Sequence, residues 1–299
     1  MIPAKIALLP DRGIVRVAGA DAKKLLQGLI SNDLELLEKQ AAIHAALLSP
    51  QGKILFEFFV VAAPEGFLLE TGRAQSTDLL RRLSLYKLRA KVELGDAASD
   101  YSVLALWQNS PDRLRQPPGS LAFADPRLLD LGMRIIAETR LAGEVAAAAG
   151  AVVATAEDWH AHRIGLGVPE AGRDYPLGDT FLHEANFDQL NGASFDKGCF
   201  VGQEVASRMQ HRGGGRKRVV PVAGQAQLTA AAVIKAGSVP LGAIGSVDGR
   251  RALALLRLDR AAEALAKGLS ITAADIPITL VQPSWASFAV PAAPRTEAP

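Results

Sequence analysis

Cys199 is the only cysteine in a chain of 299 residues. It lies in the run Lys197-Gly198-Cys199-Phe200-Val201-Gly202-Gln203-Glu204. The pattern after it predicts a helix over 203–210, and five cations follow within eleven positions: Arg208, Arg212, Arg216, Lys217 and Arg218. The positive end of a helix and nearby cations both favour a thiolate, the form of cysteine that attacks electrophiles and binds metals. Glycines on either side leave the sulfur short of steric cover and let a ligand or a backbone come close. The competing expectation is a small buried hydrophobe, but the charges and glycines favour a chemical role. Lys197 is the expected activator of Cys199, and Gln203 and Glu204 are expected to order the helix start. The cations form a candidate anion site for a polyanion or an acidic partner.

Other chemistry-bearing residues are sparser. His160, His162, His183 and His211 lack metal-ligand spacing, and no resident metal site is expected. Gly213-Gly214-Gly215 and the absence of interleaved aromatics near the basic run argue against direct reading of nucleic acid. A net charge of +2 makes any electrostatic signal local. One cysteine excludes an internal disulfide and favours a reducing, cytoplasmic setting. It also cannot hold an iron–sulfur cluster alone, since clusters commonly take four thiolates. Met1 to Ile6 lacks a signal-peptide pattern, and the apolar run Ile54 to Ala63 is too short to span a membrane and contains Glu57.

The elements that must position these residues read as α+β. A strand at 14–17 precedes an amphipathic helix with Ala22, Leu25, Leu26, Leu29 and Ile30 on one face and Asp21 as its cap. A β meander follows over 42–70, then a helix at 74–86 and strands near 90–94 and 101–107. Proline-rich 109–120 reads as a loop. Next come a strand at 131–137, a helix at 140–149, and a capping box, Thr155 to Asp158, that opens a helix through Trp159. Residues 165–198 form a long loop whose aromatics argue for order. Beyond Val219, short apolar runs between glycine turns predict a small β-barrel. The expected division is 1–215, 216–290 and a disordered tail over 291–299.

With these residues laid out, the chain resembles the YgfZ family. Lys197 to Glu204 carries the family signature. Gln27 to Asp33, Ser49 to Lys53, Tyr86 to Arg89, His183 to Asn186, and Arg212-Gly213 with Lys217-Arg218 look like further landmarks. The resemblance implies a fold similar to the T-protein of the glycine cleavage system, with three domains around a central channel and a last, barrel domain. It implies binding of tetrahydrofolate or a derivative, with Trp159 as the ring-stacking residue. Arg12 stands where a second family aromatic is expected, and Glu184 could accept hydrogen bonds from the pterin or organise the long loop. It also implies assistance to [4Fe-4S] cluster assembly or repair, with an indirect effect on tRNA modification. Iron–sulfur carrier or client proteins would be the partners, and Cys199 a transient cluster ligand. The alternative is a tetrahydrofolate-dependent aminomethyltransferase or related one-carbon transferase. Against it, Gly165 in Arg163-Ile164-Gly165-Leu166-Gly167 replaces a T-protein carboxylate, and Phe56-Glu57 replaces an aspartate pair. Glu57 reads equally well as an outward-facing strand residue.

Overall fold

The structure, a computed structural model, describes residues 3–108, 119–211 and 215–292. The chain divides into two compact units, Met1–Trp159 with Leu190–Val205, and His160–Gln189 with Ala206–Pro299. In chain order the first unit holds β1 (Lys5–Leu8), β2 (Arg12–Ala18), α1 (Ala22–Gln27), β3 (Ala42–Leu48), β4 (Ile54–Ala63) and β5 (Gly66–Gly72). Then come α2 (Arg73–Lys87), β6 (Glu93–Asp96), β7 (Tyr101–Trp107), β8 (Ser120–Ala124), β9 (Met133–Glu138), α3 (Ala142–Ala148) and β10 (Val152–Val153). Helix α4 (Ala156–Leu166) runs from the first unit into the second, and α5 (Gln203–His211) does the same.

Two five-stranded sheets build the first unit, in the orders β3-β4-β5-β2-β6 and β10-β1-β7-β9-β8. The first buries Val15, Ile43, Phe58, Val60 and Leu69 against Leu26 of α1 and Leu79 and Leu83 of α2. The second buries Leu104, Leu106 and Ile135 against Val145 of α3. Helix α1 is shorter than its apolar spacing predicts. Beyond Gly28 the chain leaves the helix to form a bridge from Ile30 to Leu47, and Ser31 N donates to Ala46 O. Asp21 does not cap α1, because its carboxylate accepts from Lys91 N instead, at 2.8 Å. The capping box of α4 forms as the spacing predicts: Thr155 N donates to Asp158 Oδ2 (2.9 Å) and Asp158 N to Thr155 Oγ1 (3.1 Å). The tip of the proline-rich stretch, Asn109 to Pro118, lies outside the described residues, but Ser120 onward joins the sheet as β8.

The second unit contains β11 (Lys217–Gly224), β12 (Val233–Ala236), β13 (Val239–Asp248), β14 (Arg251–Arg257), α6 (Leu258–Ala266), β15 (Ile271–Ala273) and β16 (Ile276–Leu280). The six strands close as β11-β14-β13-β12-β15-β16. Inward residues Val220, Val222, Ile234, Ala252, Ala254 and Leu256 fill the barrel, with Ala261 and Ala264 of α6 packed on the same core. Strands β15 and β16 escape the sequence pattern. Their two-residue turn, Ala274-Asp275, has both φ values positive (43° and 68°) without the Asn-Gly or Asp-Gly that usually announces such a hairpin.

Residues 160–189 belong to the same compact unit as the barrel. Arg218 on β11 donates to His183 O and to the Asp188 carboxylate, and Val219 N donates to Glu184 O. Those bonds fasten the long loop to the first barrel strand. Residues 293–299 of the expected tail lie outside the described residues. No described helix is long and apolar enough to cross a membrane.

Candidate functional site

Three sequence motifs distant in the chain meet in the first unit. Cys199 is exposed, and among the described residues beyond its chain neighbours no atom lies within 4 Å of where a side chain on Gly198 would begin. The backbone carrying it is fixed on both sides. Upstream, Ser31 Oγ donates to Gly192 O (2.6 Å), Ser194 N donates to Ser31 O (2.9 Å), and Asn32 Nδ2 donates to Asn191 O (2.8 Å). Downstream, Gly202 (φ 82°) lies against the Ser49–Gly52 turn so closely that a Cβ there would sit 2.6 Å from Ser49 O. Gln203 Oε1 accepts from Phe200 N at 3.3 Å, and Glu204 is exposed on the first turn of α5.

Lys197 does not serve the sulfur. Its buried ammonium donates to Gln27 O (2.7 Å), Ile30 O (2.9 Å) and Asn32 O (2.8 Å), which uses all three N–H bonds. It also lies 5.2 Å from the Phe200 ring centroid. Burial pulls its pKa down to about 8, partly opposed by the Asp33 carboxylate. The expectation that Lys197 activates Cys199 is therefore corrected. The lysine clamps the end of α1, whose carbonyls have run out of helical partners, to the cysteine loop.

Deeper in the same unit lies a charge network that sequence reading missed. Arg12 Nε pairs with Glu70 Oε1 (2.7 Å), and Arg134 Nη1 reaches the same oxygen at 3.3 Å. Arg127 Nη2 pairs with Asp125 Oδ2 (2.8 Å), and Arg127 Nη1 lies 4.0 Å from Glu57 Oε1. His44 Nε2 is 2.9 Å from Glu57 Oε1 and its Nδ1 is 3.2 Å from Leu190 O. Arg127 and Arg134 also lie over Phe59, 5.0 and 5.5 Å from its centroid. Glu57 is buried, so its outward-facing reading is corrected. Charges buried this way hold only as pairs. Burial opposes ionisation of Asp125, but Arg127 and then Arg134 more than offset it and hold the carboxyl below its ordinary 3.8. The pair's contribution is then complete above that value and lost as pH falls below it. Wild type and Asp125→Asn should differ in urea stability above about pH 4 and converge in more acid solution.

The folate candidates Trp159 and Arg12 are buried. Trp159 is 1% exposed; Arg134 Cζ lies 4.9 Å from its centroid and Trp107 packs edge-on at 5.6 Å. Trp159 thus packs in the interior of the first unit, and Arg12 is buried against Glu70. Glu184 organises its loop by accepting from Phe181 N at 2.9 Å. Among the anion candidates Arg208 and Arg216 are exposed and Lys217 is half-buried, while Arg212 lies outside the described residues. Arg218 is buried and bidentate on Asp188, so its place in an anion site is corrected: its charge is already neutralised. Among the described residues no group of three or more His, Cys, Asp or Glu is placed to hold a metal ion.

Comparison with known proteins identifies the family. The chain is 31% identical over 308 residues to the mitochondrial iron-sulfur cluster assembly factor IBA57 of Mus musculus, covering 93% of this chain and 84% of that protein. The chain belongs to the IBA57 family. It is also 34% identical to the Homo sapiens protein of that name and 36% identical to a Mycosarcoma maydis homolog. Those matches cover 72% and 73% of this chain but 65% and 57% of the relatives, so it spans less than two thirds of either. Residues 216–288 match the C-terminal beta-barrel domain of CAF17, and β11 to β16 fall inside that range. Aminomethyltransferase T of the glycine cleavage system from Bartonella henselae shares the fold, with a TM-score of 0.75, 14% identity, and coverage of 95% of this chain and 86% of that one. An IBA57-family chain on an aminomethyltransferase-like fold thus keeps the expected α+β architecture and terminal barrel.

Proposed function

We propose that this protein assists assembly or repair of [4Fe-4S] clusters by lending the Cys199 thiolate to a cluster carried by another protein. The observation that carries the reading is the exposed sulfur on a loop fixed from both sides. The YgfZ-like signature and the names of the IBA57 relatives supply the cargo class. One thiolate is one ligand, so the carrier or client protein retains the others. Ligation releases the thiol proton, which makes the transfer pH-dependent. Any effect on tRNA modification follows through the iron–sulfur enzymes that perform it. A cytoplasmic, reducing location suits a lone free thiol.

Tetrahydrofolate is the second part of the proposal, though Trp159 and Arg12 do not fit a stacked pterin. What supports a folate is a cavity of ≈ 290 Å³ in the first unit, lined by Phe123, Asp125 and Asn191 beside the charge network. Its other walls are mostly aliphatic, among them Leu128 and Leu129, and apolar walls with a few convergent polar groups are the usual make-up of such sites. Trp159→Phe should then leave tetrahydrofolate affinity unchanged, and Asn191→Ala, which removes a lining side chain, should weaken it. No step of cluster transfer is routed through the folate. Aminomethyl transfer gains less support: a Cβ at Gly165 would lie 3.3 Å from Arg251 Nη1, and Glu57 is held by His44.

Cys199→Ser in cells lacking the native protein tests the central reading. Activity of several four-iron enzymes should fall to the level of the deletion, while the purified variant keeps its melting temperature because the side chain is exposed. Normal activity of those enzymes would remove the proposal.

A further inference from the structure

Residues 81–91, Arg-Arg-Leu-Ser-Leu-Tyr-Lys-Leu-Arg-Ala-Lys, hold five cations and no acid in a chain whose net charge is only +2. Arg81 pairs with Asp78 at 3.0 Å. Arg82, Lys87, Arg89 and Lys91 make no ion pair among the described residues. Between them stand two leucines that the core does not use: Leu85 is 64% exposed and Leu88 86%. The inward face of α2 is already filled by Leu79 and Leu83, with Tyr86 packed on the same core. Arg82 and Leu85 stand three residues apart on α2, the spacing of one helical stripe, while Arg89 follows Leu88 beyond the helix end.

Leu88 is held outward against its own preference. Immediately after α2 it takes φ 45° and ψ −112°, a region costing a non-glycine residue of order 1–3 kcal/mol. The chain on its far side is fixed, since Lys91 N donates to Asp21 Oδ2 (2.8 Å) and Asp21 N to Lys91 O (3.2 Å). A greasy side chain kept in water on a strained, anchored backbone, flanked in sequence by cations without ion pairs among the described residues, is built to be covered.

We propose that Leu85 and Leu88, flanked by Arg82, Lys87, Arg89 and Lys91, are a docking surface for an acidic protein with an apolar socket. Charge complementarity selects the partner, and the leucines supply the anchor. A bilayer is the poorer fit: two leucines make no broad apolar stripe, and lipid gains nothing from one fixed side-chain direction. Nucleic acid lacks a stacking platform here because Tyr86 is turned to the core. The inference uses neither Cys199 nor a cluster and stands without them.

The test places the photo-reactive p-benzoylphenylalanine at position 85 of the full chain in its host cells. The cross-linked protein is then made separately and its affinity measured at low and high ionic strength. An acidic partner should bind wild type in a salt-sensitive way and lose about tenfold or more with Leu88→Asp or with Arg82→Glu and Arg89→Glu together. Leu88→Gly separates docking from folding, because it removes the anchor and relieves the positive φ. It should lose affinity while unfolding no more easily than wild type. Cys199→Ser should leave this affinity unchanged, so failure of the cluster reading and failure of the docking surface are distinguishable. The proposal is overturned if no cross-link forms, or if the partner's affinity ignores these substitutions. Binding to phosphatidylserine vesicles or tRNA with the same sensitivity to substitution would also overturn it.

Discussion

Replacing Lys197 with methionine is expected to lower the free energy of unfolding by about 3–5 kcal/mol. Methionine keeps the length of the side chain but leaves the carbonyls of Gln27, Ile30 and Asn32 without their donor. An unpaired buried carbonyl costs about 1–3 kcal/mol, and loss of the ammonium's own burial penalty recovers part of that. Lysine's folded value, about 8, lies below its ordinary 10.5. Between those values the unfolded chain holds more protons, so this group's contribution to the unfolding free energy rises with pH. The gap between wild type and Lys197→Met in urea unfolding should therefore widen across that window. An activator of the thiol behaves otherwise: its loss would slow Cys199 alkylation and leave stability nearly unchanged.

Arg218→Met is expected to cost about 3–5 kcal/mol as well, because it strands a buried carboxylate. Asp188 would keep only the Gln189 amide at 3.0 Å, and the long loop would lose its bonds to β11 at His183 O and Asn186 Oδ1. Contact with the Phe288 ring, 4.3 Å from Arg218 Cζ, goes too. Arg208→Gln and Arg216→Gln, at exposed positions, should stay within about 0.5 kcal/mol of wild type. Asp188→Asn added to Arg218→Met should recover part of the loss, since it removes the stranded charge. Thermal unfolding of the four variants checks this, and equal, small effects throughout would return Arg218 to the surface anion site.

Much of the fold was legible because its signals are local. The meander over 42–70 reads from alternation and glycine turns and forms as β3 to β5. Thr155 and Asp158 carry a capping signal complete within four residues. The Cys199 signature marks an exposed loop, and glycine supplies the conformation needed at Gly202. Where the signal was not local, sequence reading failed. Ala274-Asp275 turns a hairpin without the usual residues because its flanking strands are held in a closed barrel.

Composition and spacing, then, determined the α+β class, the terminal barrel and the one thiol around which chemistry can be built. Tertiary structure alone decided what each charge does. A lysine or arginine looks the same in sequence whether it faces water, a carbonyl or a carboxylate. Partners of Lys197 lie 165 to 170 positions away, those of Arg218 up to 35, and no local pattern encodes such pairings. Lys197 and Arg218, read as activator and anion ligand, became internal fasteners, while Leu88 and the cations around it, unmarked in sequence except as a motif, were left facing solvent.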